Sequence, residues 1–385
     1  MEFAFEVFAS DGKARRARLT LPHGVVETPA FMPVGTLGAV KGLSPSDLEA
    51  AGASIMLSNL YHLSLRPGIE VIETLGGLHE FTGWQRPMLT DSGGYQVFSL
   101  ANLRRVGVDG VTFRSHLDGA ELRLTPESVV QAQRRIGVDI AMVLDECPPW
   151  PVTREAAAAS LDRTHQWAIR SRQAWQGTGM SLFGILQGST FPELRQRAAE
   201  QLSELDFGGY AIGGVSVGEP TRERRAVVEL TAPLLPTGKP RYLMGVGTPR
   251  DIVHAVQQGV DLFDCVLPSR NARHGMLFTR QGLVRIKNAR YREDSRPVDP
   301  DCSCPACRRV SRALLHHLMR SGELTGAVLA TQHNVRYYLD FVMHLREAIA
   351  SGTLSRVAAS VAACYPEDSS FSESPATPDS TASIS

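Results

Sequence analysis

Two aspartates stand where apolar runs give out. Met88-Leu89-Thr90 leads into Asp91-Ser92-Gly93-Gly94-Tyr95-Gln96, and Leu262-Phe263 leads into Asp264-Cys265-Val266-Leu267-Pro268. Desolvation strongly disfavours an unpaired carboxylate in an apolar strand, so such an acid either finds partners or sits where the strand opens into a site. Two of them permit double displacement at an anomeric carbon. One attacks C1 of a sugar while the other manages the proton, and charge develops through an oxocarbenium-like transition state. In the first segment Gly93 and Gly94 let backbone approach a ligand, and the Tyr95 ring can stack on a flat one. The competing reading is a tight turn in which Asp91 caps the next helix.

Three further run ends carry recognition chemistry. Leu144-Asp145-Glu146-Cys147 and Leu186-Gln187-Gly188 offer a carboxylate and an amide, and Gly213-Gly214-Val215 offers backbone groups. Together these suit the edge of a purine-like base. The chain has no G-x-x-x-x-G-K-[ST] loop and no H-E-x-x-H, which argues against phosphoryl transfer and metalloprotease chemistry.

A second constellation is Cys302-x-Cys304-x2-Cys307-x25-His333. Three thiols this close cannot staple a fold as disulfides, but thiolates and an imidazole in tetrahedral array are what Zn2+ prefers. Four protein ligands leave no open position for water, so the expected zinc is structural. His316 and His317 compete with His333 for the fourth place. Cys147, Cys265 and Cys364 read as small buried hydrophobes.

The elements that must position these residues recur along the chain. Short apolar runs occur at Phe31 to Val34, Ile55 to Leu57, Met88 to Leu89, Ile140 to Leu144, Leu182 to Leu186, Tyr210 to Ile212, Tyr242 to Val246 and Leu262 to Leu267. Between several of them lie helical spacings, at Pro126 to Ile136, Arg154 to Trp175, Pro192 to Leu205 and Pro249 to Gln258. Near-continuous apolar strands alternating with amphipathic helices imply a parallel sheet covered on both faces, and eight units fit a closed α/β barrel of the (β/α)8 TIM type. An open doubly wound sheet is the alternative. In such a barrel Asp91, Asp145, Gln187, Gly213, Gly214, Met244 and Asp264 fall at C-terminal strand ends, where active sites form.

The first thirty residues read as two strands about Asp11-Gly12. A loop carrying Arg270, Arg273 and His274 is expected after Asp264, then a hairpin over Gly275 to Lys287 turning near Gln281-Gly282, and a helical region from Arg308 to Ile349. One domain is expected over 1-365, with an inserted zinc-binding subdomain at about 275-345. The Ser-, Thr- and Pro-rich 366-385 should be a disordered tail.

The chain has 385 residues, 43% apolar and 21% charged, with formal net charge zero, which bounds it to one large domain or two average ones. It shows no run of 18 apolar residues and no secretory signal at its start, so a cytoplasmic protein is expected. Charge is uneven. Between Cys265 and Pro297, Arg270, Arg273, Arg280, Arg285, Lys287, Arg290, Arg292 and Arg296 face only Glu293 and Asp294. That is the footprint of a phosphate-contact surface, or of a solvated hairpin with scattered arginines.

Taken together, the Asp91 to Gln96 segment, Asp145-Glu146-Cys147, Gln187-Gly188, Gly213-Gly214, Phe263 to Pro268 and the Cys302, Cys304, Cys307, His333 set resemble the queuine tRNA-ribosyltransferases, or tRNA-guanine transglycosylases, of the bacterial type. The resemblance runs from about Phe3 to about residue 360. It implies exchange of the wobble guanine (guanine-34) of tRNAs with a GUN anticodon, those for Asp, Asn, His and Tyr, for the queuosine precursor preQ1. By the same carry-over Asp264 is the nucleophile of a covalent tRNA–enzyme intermediate, and Asp91 is the general acid/base, freed or held by Asn59. Asp145, Gln187 and the Gly214 backbone read the base edge, Tyr95 and Met244 sandwich its faces, and Ser92, Cys147, Gly213 and Val215 complete the pocket. Cys147 and Val217 match the bacterial pattern. Val215 replaces a usual leucine yet still offers its carbonyl to an aminomethyl group. Glu219 resembles the residue supporting a switchable peptide nearby.

Arg270 and Arg273 match anticodon contacts, with Lys287 and Arg290 among the groups that track phosphates. The target base must be extruded to expose its glycosidic bond. The resemblance also implies a homodimer, one subunit acting while the other positions the tRNA; Arg308 to Arg320 lacks the aromatic residues often seen at that contact, though His316-His317-Leu318 remains. Two other readings have discriminators. A non-catalytic tRNA-binding paralogue would be expected to lose one of the two aspartates, and a retaining glycoside hydrolase has no use for the cysteine cluster and basic hairpin.

Overall fold

The computed structural model describes residues 2–94, 104–114, 119–175, 177 and 179–367. An antiparallel sheet of β1 (Ala4–Asp11), β2 (Ala14–Leu21) and β3 (Gly24–Thr28) opens the chain. It has one strand more than the hairpin expected from Asp11-Gly12: after Leu21 the chain turns again, at a Gly24 whose φ of 144° most side chains avoid.

The first three barrel strands follow as β4 (Ala30–Gly35), β5 (Met56–Asn59) and β6 (Met88–Asp91). A small antiparallel sheet, β7 (Arg104–Gly107), β8 (Gly110–Arg114) and β9 (Glu121–Leu124), then interrupts the repeat. The remaining barrel strands are β10 (Ile140–Met142), β11 (Ser181–Leu186), β12 (Gly209–Ile212), β13 (Arg241–Leu243) and β14 (Leu262–Cys265). The eight close a barrel in the order β4-β5-β6-β10-β11-β12-β13-β14, so the TIM-type expectation holds. Their sequences read as uninterrupted apolar runs because both faces are covered; every residue of β11 and β12 is buried.

The chain divides into two compact units, one of Met1–Ser58, Thr82–Met88 and Gly245–Glu367, the other containing Asn59–Phe81 and Leu89–Met244. In the first unit β14 pairs in parallel with β4, Asp264 opposite Met32. Just before β14 the buried Asp261 takes an ion pair from Arg15 of β2, with Arg15 Nε at 3.2 Å from Asp261 Oδ1. The run after Asp264 is not the expected loop. It is the helix Leu267–Arg273, with Pro268 in its first turn, where a missing N–H costs nothing. The expected hairpin follows as β15 (Met276–Thr279) and β16 (Gly282–Arg285).

Asn334, fully buried on the long helix Leu324–Ala350, ties these pieces together: its Nδ2 donates to the carbonyls of Pro268 and Met276, each at 3.0 Å, and its Oδ1 accepts from Phe278 N–H. In the second unit the helices Pro126–Arg135, Arg154–Ala174 and Pro192–Ser203 alternate with strands as expected. Residues 368–385, expected as a tail, lie outside the described residues.

Candidate active site

Asp91 ends β6 with both oxygens occupied. Leu60 N–H donates to Oδ1 at 3.1 Å and Asn59 Nδ2 donates to Oδ2. Asn59 is also the N-cap of the helix Leu60–Leu65, its Oδ1 accepting from His62 N–H at 3.0 Å. The segment after Asp91 that the capping reading concerns runs into residues outside the described ones, and Asp91 bonds instead to the first turn of a helix that precedes it in the chain. Gly93, at φ 82°, passes Tyr61 so closely that a Cβ would stand 2.9 Å from the Tyr61 Cβ.

Asp145 lies beyond β10 and is 7% exposed. Its Oδ2 accepts from Gln187 Nε2 at 2.7 Å and its Oδ1 from the Ser92 hydroxyl at 3.3 Å. Burial raises its carboxyl to about 6, opposed by those two hydrogen bonds. A side chain on Gly94 would overlap the same carboxylate. Asp145, Gln187 and Ser92 are thus brought together. Cys147 is buried nearby, and burial pushes its thiol up to about 12, which disfavours the thiolate.

Gly213 and Gly214 follow β12, and Val215 is buried beside them. Glu219 accepts from the N–H groups of Ser216 and Val217, the latter at 2.9 Å, with Arg224 at 3.8 Å. Met244, half-buried, follows β13, its N–H donating to Ile212 O at 3.3 Å. Tyr95 lies outside the described residues.

Asp264, on β14, is partly exposed and accepts from Gly245 N–H through Oδ1 at 2.8 Å. On the helix behind it Arg270 and Arg273 are partly buried, whereas Lys287 and Arg290 are exposed. The basic stretch is less free than its sequence implied. Asp294 takes Arg296, and Arg280 lies 3.8 Å from both Asp299 and Asp340.

The cysteine cluster forms as expected. Ligand atoms of Cys302, Cys304, Cys307 and His333 all lie within 4.8 Å of one another and could hold a metal ion. His333 Nδ1 faces the Cys304 and Cys307 sulfurs at 3.6 and 3.2 Å, while Nε2 is 2.8 Å from Phe278 O, which orients the ring for ligation through Nδ1. Backbone N–H groups of Cys307 and Asp299 donate to the sulfurs of Cys304 and Cys307, each at 3.4 Å. Such donors suit thiolates. His316 instead bonds Ile286 O and His317 is exposed, so neither competes for the fourth place.

A family model described as queuine tRNA-ribosyltransferase matches residues 10–367. The chain belongs to the queuine tRNA-ribosyltransferase family. Among similar queuine tRNA-ribosyltransferases, that of Marinobacter nauticus is 53% identical over 91% of this chain and 94% of its own. For Aromatoleum aromaticum the figures are 54%, 92% and 96%, and for Zymomonas mobilis 50%, 94% and 95%. The name of the queuine tRNA-ribosyltransferase family states a transfer at a ribose of tRNA. Among the described residues no helix is long and apolar enough to cross a membrane.

Sequence reasoning missed one residue beside the Asp145–Gln187 cluster, Arg195, because an arginine in the amphipathic helix Pro192–Ser203 reads as a solvated position.

Proposed function

We propose that this chain exchanges guanine-34 of tRNAs with a GUN anticodon for preQ1, through a covalent Asp264–ribosyl intermediate. The observation that carries this reading is the buried Asp145–Gln187 pair: a carboxylate to accept from guanine N1–H and the exocyclic amine, and an amide to donate to O6. Guanine and preQ1 share that edge and differ at position 7. Asp264 attacks C1′ as the glycosidic bond breaks, and Asp91, protonated at this stage, gives its proton to N9 of the departing guanine and becomes a carboxylate. Asp91 then accepts the N9 proton of preQ1 as that nitrogen attacks C1′ and displaces Asp264.

Ser92, Cys147, Gly213, Gly214 and Val215 shape the pocket, with Tyr95 and Met244 against the faces of the base. Arg270, Arg273, Lys287 and Arg290 contact the anticodon arm. Cys302, Cys304, Cys307 and His333 hold one structural zinc, which supplies cross-linking and no reaction step. The chain works as a homodimer in the cytoplasm. Its zinc-binding subdomain, about 275–345, lies within a domain of 1–365.

The test is incorporation of radiolabelled guanine, then preQ1, queuine and 7-cyano-7-deazaguanine, into unmodified tRNA. Uptake of guanine and preQ1 is expected. Turnover of simple glycosides with none on tRNA would favour a glycoside hydrolase instead.

A pH dependence follows from Asp145. Its carboxyl titrates near 6, above the ordinary 3.8, so the folded chain holds this proton more tightly than the unfolded one. The fold therefore loses stability from this group as pH rises between about 4 and about 6. Base affinity moves oppositely, because a protonated carboxyl presents a donor to guanine N–H. Guanine affinity should fall toward tenfold per pH unit below about 6, and Asp145→Asn should remove the slope. Equilibrium dialysis of guanine from pH 4.5 to 8 reads this, and a flat profile for the unaltered protein would contradict it.

A further inference from the structure

Arg195 has no exposed surface. Its guanidinium donates only to main-chain carbonyls: Nε to Ser189 O at 2.7 Å, Nη1 to Leu186 O at 3.1 Å and Gly213 O at 2.7 Å, and Nη2 to Gly214 O at 3.1 Å. Among the described residues no carboxylate forms an ion pair with it. Burial accordingly pulls its pKa down to about 10, still far above neutrality. A buried, charged group without an ion-pair partner is retained against a desolvation cost, and four oriented dipoles are what offsets it here.

Those four carbonyls belong to the ends of β11 and β12, the two strands that lead into Gln187 and Gly214. Peptide planarity sets the consequence. The carbonyl of one residue and the N–H of the next point oppositely across the same plane. With Gly213 O on Arg195, the Gly214 N–H is turned away from it, toward Cys147, whose sulfur it contacts. With Gly214 O on Arg195, the Val215 N–H is turned away likewise. On the other strand Leu186 O and Ser189 O bracket Gln187, whose Nε2 reaches Asp145 at 2.7 Å. Ser189 sits at φ 50°, a left-handed conformation uncommon for serine, and Gly214 at φ 64°. A side chain on Gly214 would meet Gln187 Oε1 and stand 3.2 Å from Arg195 Nη2.

We propose that Arg195 is the positioning residue of the base pocket, fixing from behind which backbone N–H groups of Gly214-Val215 and which orientation of Gln187 the incoming base meets. It touches no reacting atom. The proposal rests on the base-exchange reading above.

The experiment compares full-length Arg195→Lys and Arg195→Met with the unaltered protein, after far-UV circular dichroism and thermal melting establish folding. Read out are KM for guanine, KM for tRNA and kcat in guanine exchange, and guanine Kd by equilibrium dialysis. Loss of about one oriented hydrogen bond corresponds to roughly tenfold, so Arg195→Met should raise guanine KM and Kd by at least about tenfold while KM for tRNA stays within about twofold. Arg195→Lys should fall between, because an ammonium keeps the charge but reaches fewer carbonyls. A folded Arg195→Lys with guanine KM and Kd equal to the unaltered protein's overturns the proposal. So does failure of both variants to fold, which would make the role purely structural. If the unaltered protein does not exchange guanine, the base-exchange reading fails, and guanine Kd still decides the role of Arg195.

Discussion

Asp264→Asn is expected to abolish guanine exchange, by at least about 10⁴-fold in kcat, the scale seen when a covalent nucleophile is removed. The substitution is nearly isosteric. Gly245 N–H still finds an oxygen acceptor, so β14 and its pairing with β4 should persist. What disappears is the anion that can form a bond to C1′ and then leave. The measurement has two parts. Radiolabelled guanine should no longer enter unmodified tRNA, and the protein–tRNA adduct trapped on denaturing gels from the unaltered protein should be absent. Affinity for tRNA, measured by band shift, should change by no more than about threefold, since the substitution removes no cationic phosphate contact. Exchange at undiminished rate would show that the nucleophile lies elsewhere.

The second large effect concerns the metal. Cys302, Cys304 and Cys307 belong to a buried cluster with Ala272, Leu277, Val284, Ile286, Tyr291 and Leu315, so the ligands are part of a small core and not an appendage to it. Structural zinc sites in small domains contribute about 10–16 kcal/mol in apparent binding, comparable to the total stability of about 5–15 kcal/mol of a typical domain. Cys307→Ser should therefore lower zinc content from one per chain to near zero and lower the melting temperature by at least about 10 °C. Because Ala272 lies between Arg270 and Arg273 in the chain and packs on this core, KM for tRNA should rise as well. Elemental analysis beside calorimetry reads both. A zinc-free variant that melts like the unaltered protein would contradict the structural role.

The barrel was legible because covering a strand on both faces leaves a plain mark. The buried runs of β11 and β12 have no polar alternation to confuse them with hairpin strands. The cysteine cluster was legible because metal geometry constrains spacing, although the choice among His316, His317 and His333 needed three dimensions. Other features escape a linear reading. Pro268 reads as a chain break, yet proline is well suited to a helix's first turn, and the helix Leu267–Arg273 begins there. The sheet β7 to β9 went unnoticed although Asp109-Gly110 is as good a hairpin signal as Asp11-Gly12. Arg195 gave no signal. Its partners are backbone oxygens, and a sequence does not say where carbonyls point.

The ion pair between Arg15 and Asp261 joins residues 246 positions apart. A ribosome delivers the guanidinium early and its partner only after two thirds of the chain has emerged. During that interval β2 has no buried counter-charge, and β4 has no β14 beside it. The barrel therefore cannot close before the arrival of the same short strand that carries Asp264, the last of the eight in chain order.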